Sequence, residues 1–335
     1  MKFERTTMRS SFTLRRVTAV AGLMALTALT AACGGTSKDA PAASASSAGT
    51  FPRTITHAMG TTTIDKQPQR VVVLDTPEAG AALLVGVKPI AAVSVDPVAK
   101  TYPVHLQKDL TGVPDVGPLE EPNIDKILSL KPDLILSSKI RHEKIYDRLS
   151  QIAPTVFAEA PGDGWKENVA LFAKALGKDK EAETAIAAYQ ERAKKIGAAI
   201  TAKNGGKAPT ISVVRFVDGP TRLYQPSSFS GVVVADTGLP RPASQQDPKE
   251  VITEIGPELI DRAEGDYVFV CTYGDPATTQ QKAFLASPLW ANLTAVKNNR
   301  VTNVSDDTWM TGIGIQGAHL ILDDIAKAAG VEPLR

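Results

Sequence analysis

The chain has 335 residues, enough for one large domain or two of ordinary size. Its 43% hydrophobic and 22% charged content is that of a globular protein. A formal net charge of +1, with no basic stripe interleaved with aromatics, gives no footprint of nucleic-acid binding. The two cysteines, Cys33 and Cys271, can pair only with each other, so no disulfide framework is expected.

Residues 1–32 read as a signal peptide: Lys2, Arg5, Arg9, Arg15 and Arg16 precede an uncharged run from Val17 to Ala32. That run is short for a membrane span and suits the apolar core of an export signal. Arg15-Arg16 leaves both the general secretory and the twin-arginine route open. Leu29-Thr30-Ala31-Ala32-Cys33-Gly34 resembles a bacterial lipobox, which implies lipidation of Cys33 as the first mature residue; Thr30 departs from the usual leucine. Residues 33–52 follow as a lipidated cysteine and a small, polar, flexible tether, unable to bury a core. A single lipid chain anchors without spanning. The expected location is the outer face of the cytoplasmic membrane, and the alanine content and the tether suggest a Gram-positive host.

The body alternates strand-like and helix-like text. Thr54 to Ile64 reads as a hairpin around Met59-Gly60. Arg70 to Leu74, Pro89 to Val95 and Leu134 to Leu136 are apolar runs of the buried parallel type. Between them lie an Ala/Leu-rich helix opened by Pro77-Glu78 and an amphipathic helix from Asn123 to Leu130. Strand, helix, strand, helix, strand predicts a parallel sheet.

Lys178 to Lys203 reads as one long helix. Ala182, Ile186, Tyr189, Ala193, Ile196 and Ile200 share a face. Asp179 is its expected N-cap, and Asn204-Gly205-Gly206 its stop. About 25 residues make about 38 Å. The helix is either a spine between two α/β halves or a surface helix of one large domain. After it, Thr210 to Phe216 and Val268 to Val270 read as strands. The stretch from Glu258 to Val270 mirrors the helix, turn and strand of the first half, so a second sheet built like the first is expected.

Arg70 to Val93, followed by Val116 to Leu136, resembles the first lobe of the periplasmic binding proteins that deliver ferric siderophores and cobalamin to ABC importers. The most specific part is Asp125 to Leu136, DKILSLKPDLIL. Ser137 to Val156 is similar to the loop and helix that follow in the siderophore branch. Val217 to Pro242, Ser287 to Val301 and Thr308 to Gly330 resemble later segments of the same family. The resemblance runs from about Arg53 to the C-terminus. It implies an α/β fold of two Rossmann-like lobes with central parallel sheets joined by one long backbone helix. The lobes would span residues 53–160 and 206–335, with the helical segment at 161–205. Such a spine implies a small hinge or twist on binding.

Ligands of parallel α/β sheets bind beyond the C-terminal strand ends. On that rule Arg141, Arg215, Tyr224, Tyr273 and Trp309 are candidate ligand-binding residues, with Trp290 less well placed. Arginines suit iron-bound ligand oxygens, and aromatics suit the organic shell. The alternatives are a solvated Arg141, an Arg215 paired with an acid, and core aromatics. The resemblance implies a ferric siderophore as ligand, with the iron held by the siderophore and no metal ligand or cofactor from the protein. A hydroxamate type is favoured by the lack of a larger basic cluster. It also implies an ABC permease as partner, a monomer, and one docking glutamate per lobe. Glu78 matches the first position and Glu258 the second, with Glu254 as competitor. A cobalamin or ferric citrate binder of the same fold is the alternative. An exported hydrolase lacks a Gly-x-Ser-x-Gly motif, and a zinc or manganese carrier has only His142-Glu143 to recommend it, so no catalytic residue is expected.

Overall fold

The computed structural model describes residues 49–94, 101–162 and 164–334. Cys33, the signal peptide and the tether up to residue 48 lie outside the described residues. The body opens with the predicted hairpin, β1 (Arg53–His57) and β2 (Gly60–Ile64), whose turn is eased by the positive φ of Gly60.

The first sheet takes β3 (Val71–Val73), β4 (Ala91–Ser94), β5 (Asp115–Pro118), β6 (Leu134–Ser138) and β7 (Thr155–Ala158). Their order is β5-β4-β3-β6-β7 and every pairing is parallel, as the buried apolar runs predict. Crossing between them are α1 (Thr76–Leu84), α2 (Val104–Gln107), α3 (Ile124–Ser129), α4 (Lys139–His142) and α5 (Tyr146–Ser150). Then α6 (Trp165–Leu176) leads into α7 (Asp179–Lys203), the predicted long helix of 25 residues. Its N-cap is Lys178, not Asp179. Asp179 is already inside the helix and accepts from Arg53 Nη1 at 2.7 Å instead. The stop is as expected, with Gly205 and Gly206 at positive φ.

The second sheet runs β10 (Ile252–Ile255), β9 (Thr221–Tyr224), β8 (Ile211–Phe216), β11 (Tyr267–Thr272), β12 (Val301–Asn303). It is not a copy of the first. β8, β11 and β12 are parallel, but β9 and β10 pair antiparallel. The cause is the short connection from β8 to β9, residues 217–220 with Gly219 at φ +115°. Four residues make a hairpin, whereas a parallel neighbour needs a crossover of a dozen or more. Helices α8 (Phe229–Asp236), α9 (Gln281–Ala286), α10 (Pro288–Asn292), α11 (Thr294–Lys297), α12 (Asp306–Trp309) and α13 (Ile315–Ala329) complete this half.

The pleat sorts each strand between two environments. Val71, Val73 and Leu134 of the first sheet, and Ile211, Val213 and Phe269 of the second, join one core with α6, α7 and α13. Their neighbours Val72 and Ile135 on one side, and Val214 and Val268 on the other, fill separate outer cores. The two lobes therefore share the hydrophobic mass that flanks the spine. Gln316 Nε2 at the start of α13 also donates to the Gly80 carbonyl of α1 at 2.8 Å, tying one lobe to the other.

Candidate functional site

A cleft of about 580 Å³ opens where the C-terminal strand ends of the two lobes face each other. From the first lobe come Asp75 and Thr76 after β3, Tyr102 and Val104 around α2, Leu119 after β5 and Arg141 after β6. From the second come Tyr273 after β11, and Asp307, Met310 and Ile313 after β12. A smaller cavity of about 120 Å³, which shares Met310 and Ile313 with the cleft, lies against Tyr224, Phe229 and Trp309.

Arg141 reaches the cleft with its side chain 34% exposed. Its Nε donates to Asp75 Oδ2 at 3.1 Å and its Nη1 to Glu120 Oε1 at 3.2 Å. Asp75 is buried and is the N-cap of α1, accepting from the Thr76 N–H at 2.7 Å. Burial pushes its carboxyl above the usual range, and Arg141 pulls against that rise.

Arg215 takes the structural alternative. It makes a two-bond fork to Asp306, Nε and Nη2 each at 2.6 Å, and donates from Nη1 to Tyr224 Oη at 2.9 Å. Its guanidinium sits 5.0 Å from the ring centroid of Tyr273, which is 61% exposed and roofs it on the cleft side. Tyr224 is buried behind the same pair, and burial raises its phenol pKa.

Trp309 has no exposed surface. It stacks on Phe269 with centroids 4.6 Å apart and donates its indole N–H to Asp324 at 2.9 Å, so it backs the side cavity as part of the wall. Trp290 belongs elsewhere: it is packed in the outer core of the second lobe with Phe216 and Phe284, and its assignment to the ligand is corrected. Thus the cleft brings together Arg141 and Tyr273, with Arg215, Tyr224 and Trp309 immediately behind, and leaves out Trp290.

Glu78 also departs from expectation. It is fully buried, and neither carboxylate oxygen has a hydrogen-bond partner. Burial, and then the charge of Asp75, drive its pKa well up. A carboxyl so enclosed is not presented to a partner, which corrects its assignment to docking. Glu258 is exposed in the first turn of the 3-10 helix Pro257–Ala263. Glu254 is on β10, 3.4 Å from Arg222.

His142 is buried with both ring nitrogens engaged. Nε2 donates to the Leu119 carbonyl at 2.7 Å, so Nδ1 is the acceptor for Ser137 Oγ at 2.6 Å. Burial lowers its pKa. It braces the Leu119 wall of the cleft. Its pairing with Ser137 is closed off from solvent, and among the described residues no group of three His, Cys, Asp or Glu gathers around a metal-sized site.

Sequence reasoning missed Asp75, Glu120, Tyr102, Asp306 and Asp307. The same rule that found Arg141 reaches them, since all but Tyr102 follow β3, β5 or β12 directly; attention to arginines and aromatics passed over the acids.

Two α/β lobes on one spine, with a cleft between facing strand ends, define a two-lobed solute-binding protein. The chain belongs to the family described as periplasmic binding protein, whose sequence model matches residues 71–308. It is 38% identical over 284 residues to the "Probable siderophore-binding lipoprotein YfiY" of Bacillus subtilis, covering 82% of this chain and 86% of that one. It is 30% identical over 292 residues to the Fe(3+) dicitrate-binding periplasmic protein FecB of Escherichia coli, covering 85% and 92%. Among solved structures, Staphylococcus aureus SirA complexed with staphyloferrin B superposes with a TM-score of 0.77 at 34% identity, covering 84% of this chain and 99% of SirA. Among the described residues no helix is long and apolar enough to cross a membrane.

Proposed function

We propose that this chain is the extracytoplasmic binding lipoprotein of an ABC importer, that it captures a ferric siderophore in the interlobe cleft, and that it hands the complex to a membrane permease without catalysing a reaction. The observation that carries the reading is the cleft itself: a guanidinium, Arg141, and an exposed aromatic, Tyr273, face each other across about 580 Å³ between two lobes. Named relatives that bind siderophores or ferric citrate support it. The iron stays wrapped in the siderophore's oxygens, and the protein supplies donors and flat apolar faces. Cys33 anchors the chain to the outer face of the cytoplasmic membrane through the tether.

Docking falls to one exposed acid per lobe. Glu258 stands eight residues before Asp266, whose carboxylate accepts from the Thr210 N–H. By the internal mirror, the first lobe's counterpart is Asp125, eight residues before Asp133, which accepts from the Gln69 and Arg70 N–H groups. Asp125 is exposed in the first turn of α3 and takes the place first given to Glu78.

The test is titration of intrinsic tryptophan fluorescence of the full chain with ferric hydroxamates, ferric citrate, ferric catecholates, cobalamin, Fe3+ and Zn2+. Saturable quenching by one ferric-siderophore class is expected, weakened roughly 10- to 100-fold in Arg141→Ala, as for loss of charged hydrogen bonds of about 1.5–3 kcal/mol. Tight binding of a bare ion, or of nothing, overturns the reading.

A further inference from the structure

The side cavity beside the cleft differs from it in chemistry. Among the described residues that line it, none is charged. Val251, Trp309, Met310 and Ile313 give it apolar walls, and three serines close it at the start of α8. Two of their hydroxyls are already engaged. Ser227 Oγ donates to the Glu250 carbonyl at 2.6 Å. Ser228 Oγ, the N-cap of α8, donates to the Gln225 carbonyl at 2.6 Å and accepts from the Gly231 N–H at 3.0 Å. Ser230 is the exception: it is fully buried, and its Oγ has no partner. A buried hydroxyl without a partner is costly, and native proteins leave few of them.

Met310 and Ile313 line both the cavity and the cleft, so they form the partition between the two. Methionine is an adaptable partition, since its unbranched side chain turns about three bonds. A ligand seated in the cleft thus lies one side chain away from an apolar space with a single unused hydroxyl.

We propose that the side cavity is a specificity subsite, which admits a short, uncharged acyl branch of the ligand past Met310 and offers the branch carbonyl the hydroxyl of Ser230. This rests on the siderophore-binding reading above and names the part of the ligand that is selected. Volume sets the length. At about 30 Å³ for one water's share of the liquid, some 120 Å³ holds about four non-hydrogen atoms, the size of a short acyl chain. Wall chemistry sets the charge. A carboxylate or ammonium on the branch would give up its water with no ion to replace it. The remaining polar group, Tyr224 Oη, already accepts from Arg215 Nη1.

The experiment is fluorescence titration of the full chain with three ferric trihydroxamates that differ only in the terminal N-acyl group: acetyl, butyryl and succinyl. Ferric citrate and a ferric tris-catecholate, which carry no acyl branch, complete the set. Affinity is expected to rise about fourfold per methylene from acetyl to butyryl, the gain for burying a CH2 group, and to fall for the charged succinyl end. Ser230→Ala is expected to weaken the acetyl and butyryl complexes roughly two- to tenfold, as for loss of one hydrogen bond. That variant removes only an unpartnered oxygen, so a hydroxyl without a role in binding would leave both affinities as they were. Val251 is 50% exposed, so the rim has room for a larger ring, and Val251→Trp is expected to bring the butyryl-to-acetyl ratio close to one. Equal affinities for acetyl and butyryl, a succinyl complex held as tightly as the butyryl one, unchanged affinities in Ser230→Ala, or an unchanged ratio in Val251→Trp overturns the subsite while the functional reading stands. Binding confined to ferric citrate or the tris-catecholate does the same. Failure of every ferric complex to bind removes the reading and the subsite with it.

Discussion

Burial, and behind it the charge of Asp75, raises the pKa of the Glu78 carboxyl in the folded state. Its folded pKa lies above the usual value of 4.5, so the folded state binds the proton more tightly than the unfolded one. Stability linked to Glu78 is present at low pH and lost as pH rises from the unfolded pKa toward the folded one. Glu78→Gln is therefore expected to stabilise the protein in urea unfolding, with a gain near zero around pH 4.5 that grows by up to about 1.4 kcal/mol per pH unit above it. A gain independent of pH would contradict this. The histidines act in the opposite sense. Burial lowers the pKa of His57, His105, His142 and His319 alike, so each withdraws stability as pH falls below about 6.5. The sequence placed Arg141 and Tyr273 on the cleft because position after a strand is a local property. It misplaced Glu78 and Trp290, since which face of a helix is covered depends on the neighbours that arrive from elsewhere in the chain. For α1, the helix that carries Glu78, those include α6 and α13.

Helix α7 shows propensity and packing in conflict. Gly197 sits mid-helix, where alanine is normally the better helix former by about 1 kcal/mol. A Cβ there would lie 1.8 Å from the Thr237 carbonyl oxygen, beyond what side-chain adjustment can relieve. Gly197 is the notch that lets the C-terminal end of α8 close on the spine. Gly197→Ala is expected to destabilise by roughly 1–3 kcal/mol despite its propensity, as overpacking does, and a thermal midpoint at or above wild type would refute the notch. The length, apolar face and stop of α7 were legible because helical periodicity is written in the residues themselves. The mixed second sheet was not. Val217 to Pro220 reads as a loop either way, and only its length of four residues tells hairpin from crossover.

At the scale of the molecule, the two sheets share one core around α6, α7 and α13, and Gln316 bridges to Gly80. The exposed acids Asp125 and Glu258 stand one to each lobe. Asp125→Arg and Glu258→Arg are each expected to abolish stimulation of the permease's ATPase in reconstituted vesicles while leaving ligand affinity within about twofold, the span of a surface substitution of up to ±0.5 kcal/mol. Full stimulation by both variants would rule these acids out. The two-lobed plan was readable from the order of segments along the chain. The shared core was not, because the contacts that build it join residues far apart in sequence.

A core common to both lobes has a kinetic consequence. Walls that part only by exposing apolar mass to water are costly to part. Residence time is then set at the mouth, by the exposed rims around Val104 and Tyr273 and by how often Arg141 lets go of its anion. A carrier of this build would hold its cargo for as long as those few bonds last, and a partner that grips both lobes at once would shorten the hold by prising at the seam they share.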